Sequence, residues 1–573
     1  MITYYLRDTL VRLYRPMAKR NVKDFVAEAE SRVDSGWRNL PIFEADRPSA
    51  LLAVIAVTDD RARISGLAGL SFEEWFWWGV RFGQDALRYA IPWIFEACKR
   101  TNAPIPPRVD EAQYKQGIEL STYADAYDAA VIGFTYYHQG SFTAFVAQRD
   151  PRITFAFSSD EAAVAETEKR AYELYEDQDA LKRLPVEELG KTYFNLRDLT
   201  VKKSMKDGTD RVKIEIDDEF MPALRWAKDA SLTIHTAYLE ESQTFRGIPY
   251  RSYRQYHAAL SVLSASHFYL HVSPIVRDIR GGAVSSLSLR MQISELNRLI
   301  AGISELEPGE VACISSLFTY DGSIAHLDPI CQPLILANEK EVIIPHVFVQ
   351  GGRFERNFLK LLAKHPATTK EYQAFSSSKE NIALPSLLSL LGVKGIAARK
   401  NVSIIKNGKV VTDADLLAFD PRDGCLLVIQ HKWLIEPDTV NETRECDRQL
   451  SDGMKQVQEV KSSLVDQTYA MRLMPDTPPH GYTHLEGLVV SRGFEPSGFV
   501  AESEVPVVTE KWFRGNLETC SGLKALHELA KSRPDRKELA RGWESTQKSV
   551  KLAGYELRLP VLAKMATRGE IVS

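Results

Sequence analysis

Three residues in the last third of the chain have types and spacing that suit phosphoryl chemistry: Asp415, then Gln430 and Lys432 one residue apart. Asp413 precedes Asp415 by two positions. Oxygen donors beside an ammonium suit a hard divalent cation and a phosphate. Mg²⁺ is typically held by one or two protein carboxylates together with water and substrate oxygens. An ion so held, Mg²⁺ or Mn²⁺, activates water and neutralises a phosphoryl group, while a lysine stabilises the attacking hydroxide or the transition state.

The elements that must position these groups read as a β-hairpin. Two apolar runs, Leu416-Leu417-Ala418-Phe419 and Cys425-Leu426-Leu427-Val428-Ile429, flank Pro421-Arg422-Asp423-Gly424. Pro presets φ and Gly accepts positive φ, so this segment is a turn. A four-residue loop pairs Asp420 with Cys425. The same register sets Asp415 opposite Gln430 and Asp413 opposite Lys432, all on one face, since side chains alternate along a strand. Upstream, Asn407-Gly408 between Asn401–Ile405 and Val410-Val411 predicts a second hairpin. A helix is expected before it from Ser377, with a capping box to Glu380, or from Pro385 as its first turn, ending at Gly392. Downstream, Leu450, Met454, Val457, Val460 and Leu464 recur at helical spacing, so Asp447–Leu464 reads as an amphipathic helix carrying Gln456 and Gln458. Strands near 485–491 and 505–509 and a closing helix from Trp512 to Leu529 complete an α/β unit with a mixed sheet.

This constellation resembles the PD-(D/E)xK nuclease superfamily, and within it the Mrr-like branch, in which Gln replaces the second acid. The resemblance runs from about Tyr372 to Ala530. It implies a restriction-endonuclease-like fold, a metal-binding Asp415, Gln430 as second ligand and Lys432 as catalytic lysine. It also implies a helix followed by a three-stranded meander, with Glu380 as an extra acid on the first helix or merely as its cap. Gln456 either lies near the active site or on a solvated face. A neutral Gln430 removes one negative charge, so metal affinity is expected to be weaker than in an Asp/Glu site. The implied function is metal-dependent hydrolysis of nucleic acid, DNA first, in genome defence or DNA processing. The alternative is a catalytically silent nuclease fold that serves as a scaffold or binds nucleic acid; no base-reading motif separates DNA from RNA.

The chain has 573 residues, 44% apolar and 26% charged, with a formal charge of −4. That length favours several domains. We expect a large mixed α/β module over 1–370, the nuclease-like unit over 371–530 and a basic extension over 531–573. The extension holds ten Lys and Arg against five acids, with Trp543 and Tyr555 interleaved. Such a segment follows a phosphate backbone or forms a solvated helix packed on the domain. The global charge offers nucleic acid no attraction, so any binding surface is local. Six scattered cysteines argue against a disulfide framework and a zinc ribbon, and with no membrane-length apolar run they point to the cytoplasm.

Residues 1–370 are less telling. Helices are expected over Val22–Val33 and Phe72–Cys98, the latter with Trp75, Trp77, Trp78 and Trp93 as core or as a base-stacking surface. Strands are expected at 131–137 and 212–216. This module also offers a surface for self-association or a protein partner. Gly190-Lys191-Thr192 lacks the earlier glycine of a P-loop, since Pro185 stands there. The i, i+4 pairs His267/His271 and His480/His484 lack further ligands at zinc spacing. Gly281-Gly282 and Gly351-Gly352 are turn signals only.

Overall fold

The computed structural model describes residues 19–67, 82–146, 151–169, 195–196, 198–200, 202–206, 212–232, 239–272, 289–350, 353–492, 494, 496, 504–541 and 543–564. The P-loop-like segment, Trp75, Trp77, Trp78 and the two Gly-Gly pairs lie outside them. The architecture is mixed α/β. The first module packs helices α1 (Lys19–Gly36), α2 (Arg47–Leu67), α3 (Phe82–Ala97) and α4 (Glu111–His138) with strands β1 (Phe142–Val146) and β2 (Arg152–Phe157). Trp93 is 8% exposed and stacks on Trp37 at 5.2 Å, so it serves the core rather than a base-stacking surface. Residues 131–137 complete α4 instead of forming a strand. Their β-branched and aromatic content yields to packing, because Ala130, Gly133 and Phe134 are buried at helical spacing. The strand expected at 212–216 is present as Val212–Ile214.

Further along come helix α5 (Tyr250–Val272), strands β3 (Leu289–Gln292), β4 (Thr319–Tyr320), β5 (Leu334–Leu336) and β6 (Glu341–Ile344), and helix α6 (Phe354–Lys364). The four strands form one sheet, ordered β3-β6-β5-β4. One large apolar core unites these pieces with α2 and α3, through Leu51, Ile91, Tyr253, Ile343 and Phe358 among others.

The second unit begins with α7 (Thr369–Val393), followed by β7 (Ala397–Lys406), β8 (Lys409–Asp420), β9 (Cys425–Trp433), α8 (Val440–Leu464), β10 (His484–Arg492), β11 (Val507–Thr509), α9 (Glu510–Thr519) and α10 (Leu523–Ser532). The sheet order is β7-β8-β9-β10-β11, antiparallel across the first three strands and parallel across the rest. The Asp420–Cys425 pairing is present, and Gly424 takes φ +62 in the turn between them. Two expectations fail at the helices. α7 starts at Thr369, so Ser377 and Glu380 lie inside it rather than at its start, and Pro385 is internal. The closing helix is two helices, because Cys520 is extended at φ −72, ψ 146 and ends α9. α8 packs on one face of the sheet over Leu417, Phe419, Leu426 and Val428. The other face carries Leu416, Ala418, Leu427 and Ile429 against α7, α9 and α10.

The basic C-terminal segment opens with a short helix, Pro534–Leu539, and then turns to strand. Strands β12 (Trp543–Leu552) and β13 (Tyr555–Lys564) form a hairpin, and β13 pairs in parallel with β2, giving the order β1-β2-β13-β12. The hairpin therefore joins the sheet of the first module, with Leu552, Tyr555, Leu557 and Leu559 buried against Val26, Val33 and Phe155. Its cations do not form one stripe: Lys548 and Lys551 are exposed, Arg558 pairs with Glu556, and Arg533 is buried over the Trp512 ring. Among the described residues no helix is long and apolar enough to cross a membrane.

Candidate active site

β9 runs through the middle of the sheet, which is why its apolar residues are continuous: both faces are covered, and Cys425 to His431 are all buried. Alternation past Val428 carries Gln430 and Lys432 to the α8 side and His431 and Trp433 to the other. Contacts agree. Lys432 Nζ donates to Gln456 Oε1 on α8 at 2.7 Å, while His431 Nε2 lies 3.5 Å from Glu510 Oε2 at the start of α9.

The β8–β9 ladder stops at Leu416–Ile429, one pair short of Asp415 and Gln430. Side-chain-to-backbone bonds take over from there. Asp415 Oδ2 accepts the His431 N–H at 2.7 Å, and Gln430 Nε2 donates to the Asp413 carbonyl at 2.6 Å. Asp415 also marks a break on its other side. The β7–β8 register records Lys400–Leu416 and Val402–Ala414 but not Asn401–Asp415, and Asn401 takes φ +53. Ala414 and Leu417, three apart, share the core under α8, so the alternation resets at Asp415. An Asn tolerates the left-handed region better than most residues, which lets β7 follow the kink.

The structure thus brings Asp415, Gln430, Lys432 and Gln456 to one end of the hairpin. Asp413 departs from the expected geometry. It is exposed, pairs with Ser403 on β7 and contributes its backbone carbonyl to Gln430, so it does not face Lys432. Glu380 lies on α7, and its side chain is outside the described residues. Gln458 is exposed. Of the decoy histidines, His480 is exposed and His484 accepts Lys524 Nζ at 3.2 Å.

The donor set fits a Mg²⁺-type ion held by one protein carboxylate. Asp415 supplies the negative charge. Gln430 is 1% exposed with its nitrogen committed to a carbonyl, leaving Oε1 as the amide acceptor. Lys432 needs a gap in α8 to lie where it does. A Cβ built on Gly453 would come 2.9 Å from Lys432 Cε, closer than real Cβ atoms approach.

Two supports escaped the sequence reading. The first is Lys379 on α7. Its Nζ is buried without a hydrogen-bond partner and lies 3.5 Å from the centroid of Trp433 and 3.7 Å from that of Phe375. Burial pushes its ammonium down to about 6; nearby Arg492 adds to the fall, and Glu355 opposes it. No periodicity distinguishes such a lysine from the charged residues of a solvated face.

The second is an ionic clamp on the segment leaving β9. Asp438 accepts Arg356 in bidentate fashion at 2.7 and 2.6 Å and lies 3.3 Å from Arg88, which also bonds Asp328 at 2.6 Å. Lys360 pairs with Glu442 at 2.6 Å, and Glu442 closes a capping box with Thr439 at the start of α8. Arg353 pairs with Glu436. The link from Lys432 to α8 is thereby fastened to α3 and α6 of the first module.

Glu510 anchors the other side. Burial alone would raise its carboxyl, but His431 and Arg514 hold it down at about 2. No protein-family model matches the chain, and neither curated proteins nor solved structures give a match.

Proposed function

We propose that the unit from Thr369 to Ser532 is a metal-dependent nuclease of the PD-(D/E)xK, restriction-endonuclease-like kind, hydrolysing phosphodiesters of DNA with Mg²⁺ or Mn²⁺. One observation carries the reading. Where the β8–β9 ladder stops, a carboxylate, an amide oxygen and an ammonium from adjacent strands share one end of the sheet. The order helix, antiparallel meander, helix, parallel strand supports it further. Asp415 and Gln430 would hold the ion, which supplies Lewis acidity and a water of lowered pKa. Lys432, steadied by Gln456, would offset the charge that develops on the phosphoryl oxygens. Six free thiols support action in a reducing cytoplasm, and genome defence or DNA processing is the role we assign. The first module, clamped to the catalytic strand, is our candidate for target selection, for self-association or for a protein partner.

A second reading, a silent nuclease fold kept for binding, is favoured by Gln430 itself: a buried amide stands where a second carboxylate would bind metal more tightly. Lys432→Ala separates the two. Its side chain is only half-buried, so the substitution should leave the fold intact. We expect Mg²⁺-dependent cleavage of DNA by the parent and none by the variant. Equal cleavage by both would remove Lys432 from the chemistry. Inactivity of both on DNA and RNA would favour the binding role.

A further inference from the structure

At the far end of the same sheet, β10 enters with His484-Leu485-Glu486. β11 covers only Val489 to Ser491, so Glu486 lies on an edge that β11 does not reach. Glu486 pairs with Leu427, whereas Lys432 pairs with Ser491, five residues on. That puts about 16 Å of strand between Glu486 and the candidate active site. α10 packs across this edge, burying Leu523, Leu526 and Ala530 and bringing His527 and Glu528 to Glu486.

His527 is 1% exposed, and neither ring nitrogen has a hydrogen-bond partner. A buried imidazole with both nitrogens unsatisfied is costly, and a native fold normally supplies a ligand for it. Its Nδ1 lies 3.3 Å from Glu486 Oε2. One ligand atom from each of His527, Glu486 and Glu528 falls within 4.8 Å of the other two. Zinc binds His nitrogen and carboxylate oxygen at about 2.0–2.2 Å in a tetrahedron, which separates neighbouring ligand atoms by about 3.3–3.5 Å. We propose that His527, Glu486 and Glu528 form a second metal site, selective for Zn²⁺ over Mg²⁺, that pins α10 to the uncovered edge of β10.

Ligand chemistry sets the selectivity, since imidazole suits zinc and Mg²⁺ prefers an all-oxygen shell. Lys461 Nζ, 3.8 Å from Glu486 Oε2, is the cation a bound zinc would displace toward solvent.

The test uses the full chain carrying Asp415→Asn, so that the candidate nuclease centre does not contribute. Zn²⁺ and Mg²⁺ are titrated calorimetrically, and thermal unfolding is followed with each. We expect one equivalent of Zn²⁺ to bind and raise Tm, with no such response to Mg²⁺. Adding Glu528→Gln should weaken Zn²⁺ at least tenfold, and adding His527→Gln should abolish binding. Glu528 is exposed, so its variant stays folded and decides the matter if the His527 variant does not fold. Absence of Zn²⁺ binding to the Asp415→Asn protein, or equal binding by the Glu528→Gln variant, would overturn the site.

Discussion

Lys432 on β9 and Gln456 on α8 are joined by a 2.7 Å hydrogen bond from Nζ to Oε1, and the bond is possible because Gly453, one turn earlier on α8, has no side chain. Helix and strand thus fix the ammonium together. Neither strand alternation nor helical periodicity would place it alone.

Gly453→Ala should therefore separate stability from activity. Replacing a mid-helix glycine by alanine favours the helix by about 0.8–1.0 kcal/mol. The new methyl would meet Lys432 Cε at 2.9 Å and push the flexible end of that side chain aside. We expect an unchanged or slightly raised Tm and a fall of at least tenfold in Mg²⁺-dependent cleavage. Full activity would show that the ammonium does not need its present position.

Gln430→Glu should make stability depend on metal. The new carboxylate cannot donate to the Asp413 carbonyl, and at 1% exposure it would be a buried charge. Without metal its folded-state pKa would rise, so stability would be lost as pH climbs through that value. A divalent ion at the same oxygen reverses the penalty and binds more tightly by about 1–3 kcal/mol at an effective dielectric near 20. Gln430→Leu should bind metal more weakly than the parent. Unfolding with Mg²⁺ and with chelator checks both; indifference of all three proteins to Mg²⁺ would remove Gln430 from the metal shell.

Asp438→Ala should be among the most damaging single changes. Arg88, Arg356 and Asp438 have side chains 9%, 8% and 11% exposed. Removing the acid takes the bidentate carboxylate from buried Arg356 and leaves Arg88 to Asp328 and Asp85, and breaking such a buried pair costs about 3–5 kcal/mol. The exposed Glu445–Arg448 pair is the control, with little expected change. A fragment starting at residue 370 meets the same problem, lacking Arg88, Arg356 and the strand β2 that β13 pairs with. We expect it to need the first module for solubility. Urea unfolding of the variant and co-expression of the two pieces measure these effects.

Lys379→Met should stabilise the protein at neutral pH and flatten its pH dependence. The folded-state value of about 6 lies below the ordinary 10.5, so between them the unfolded chain binds a proton that the folded chain does not. Stability then rises with pH across that window. Methionine keeps the bulk between Phe375 and Trp433 and removes the slope. Denaturation midpoints for both proteins across that window test it; parallel curves would show that Lys379 stays charged in the fold.

Much of the unit from Thr369 to Ser532 was legible from residues alone, for a local reason. Turn chemistry at Asn407-Gly408 and Pro421–Gly424 sets the register of two hairpins, and that register fixes which residues meet. Helical spacing from Leu450 to Leu464 identified the face that α8 buries. Gln430 and Lys432 could be assigned to one face because alternation holds along β9. It does not hold along β8, where the reset at Asp415 depends on Asn401 across the sheet, and so Asp413 was misplaced. The α4 segment 131–137 and the β12–β13 hairpin were misread likewise: both owe their form to partners such as Phe155 and β2, some 400 residues from the hairpin. Buried charge was the least legible. Asp438, Lys379 and His527 look like surface residues in the sequence, and only tertiary packing removes the water around them. Local backbone preference and spacing therefore determined the hairpins and the shared face of Gln430 and Lys432, while long-range packing decided the desolvation, the clamp and the attachment of the C-terminal strands.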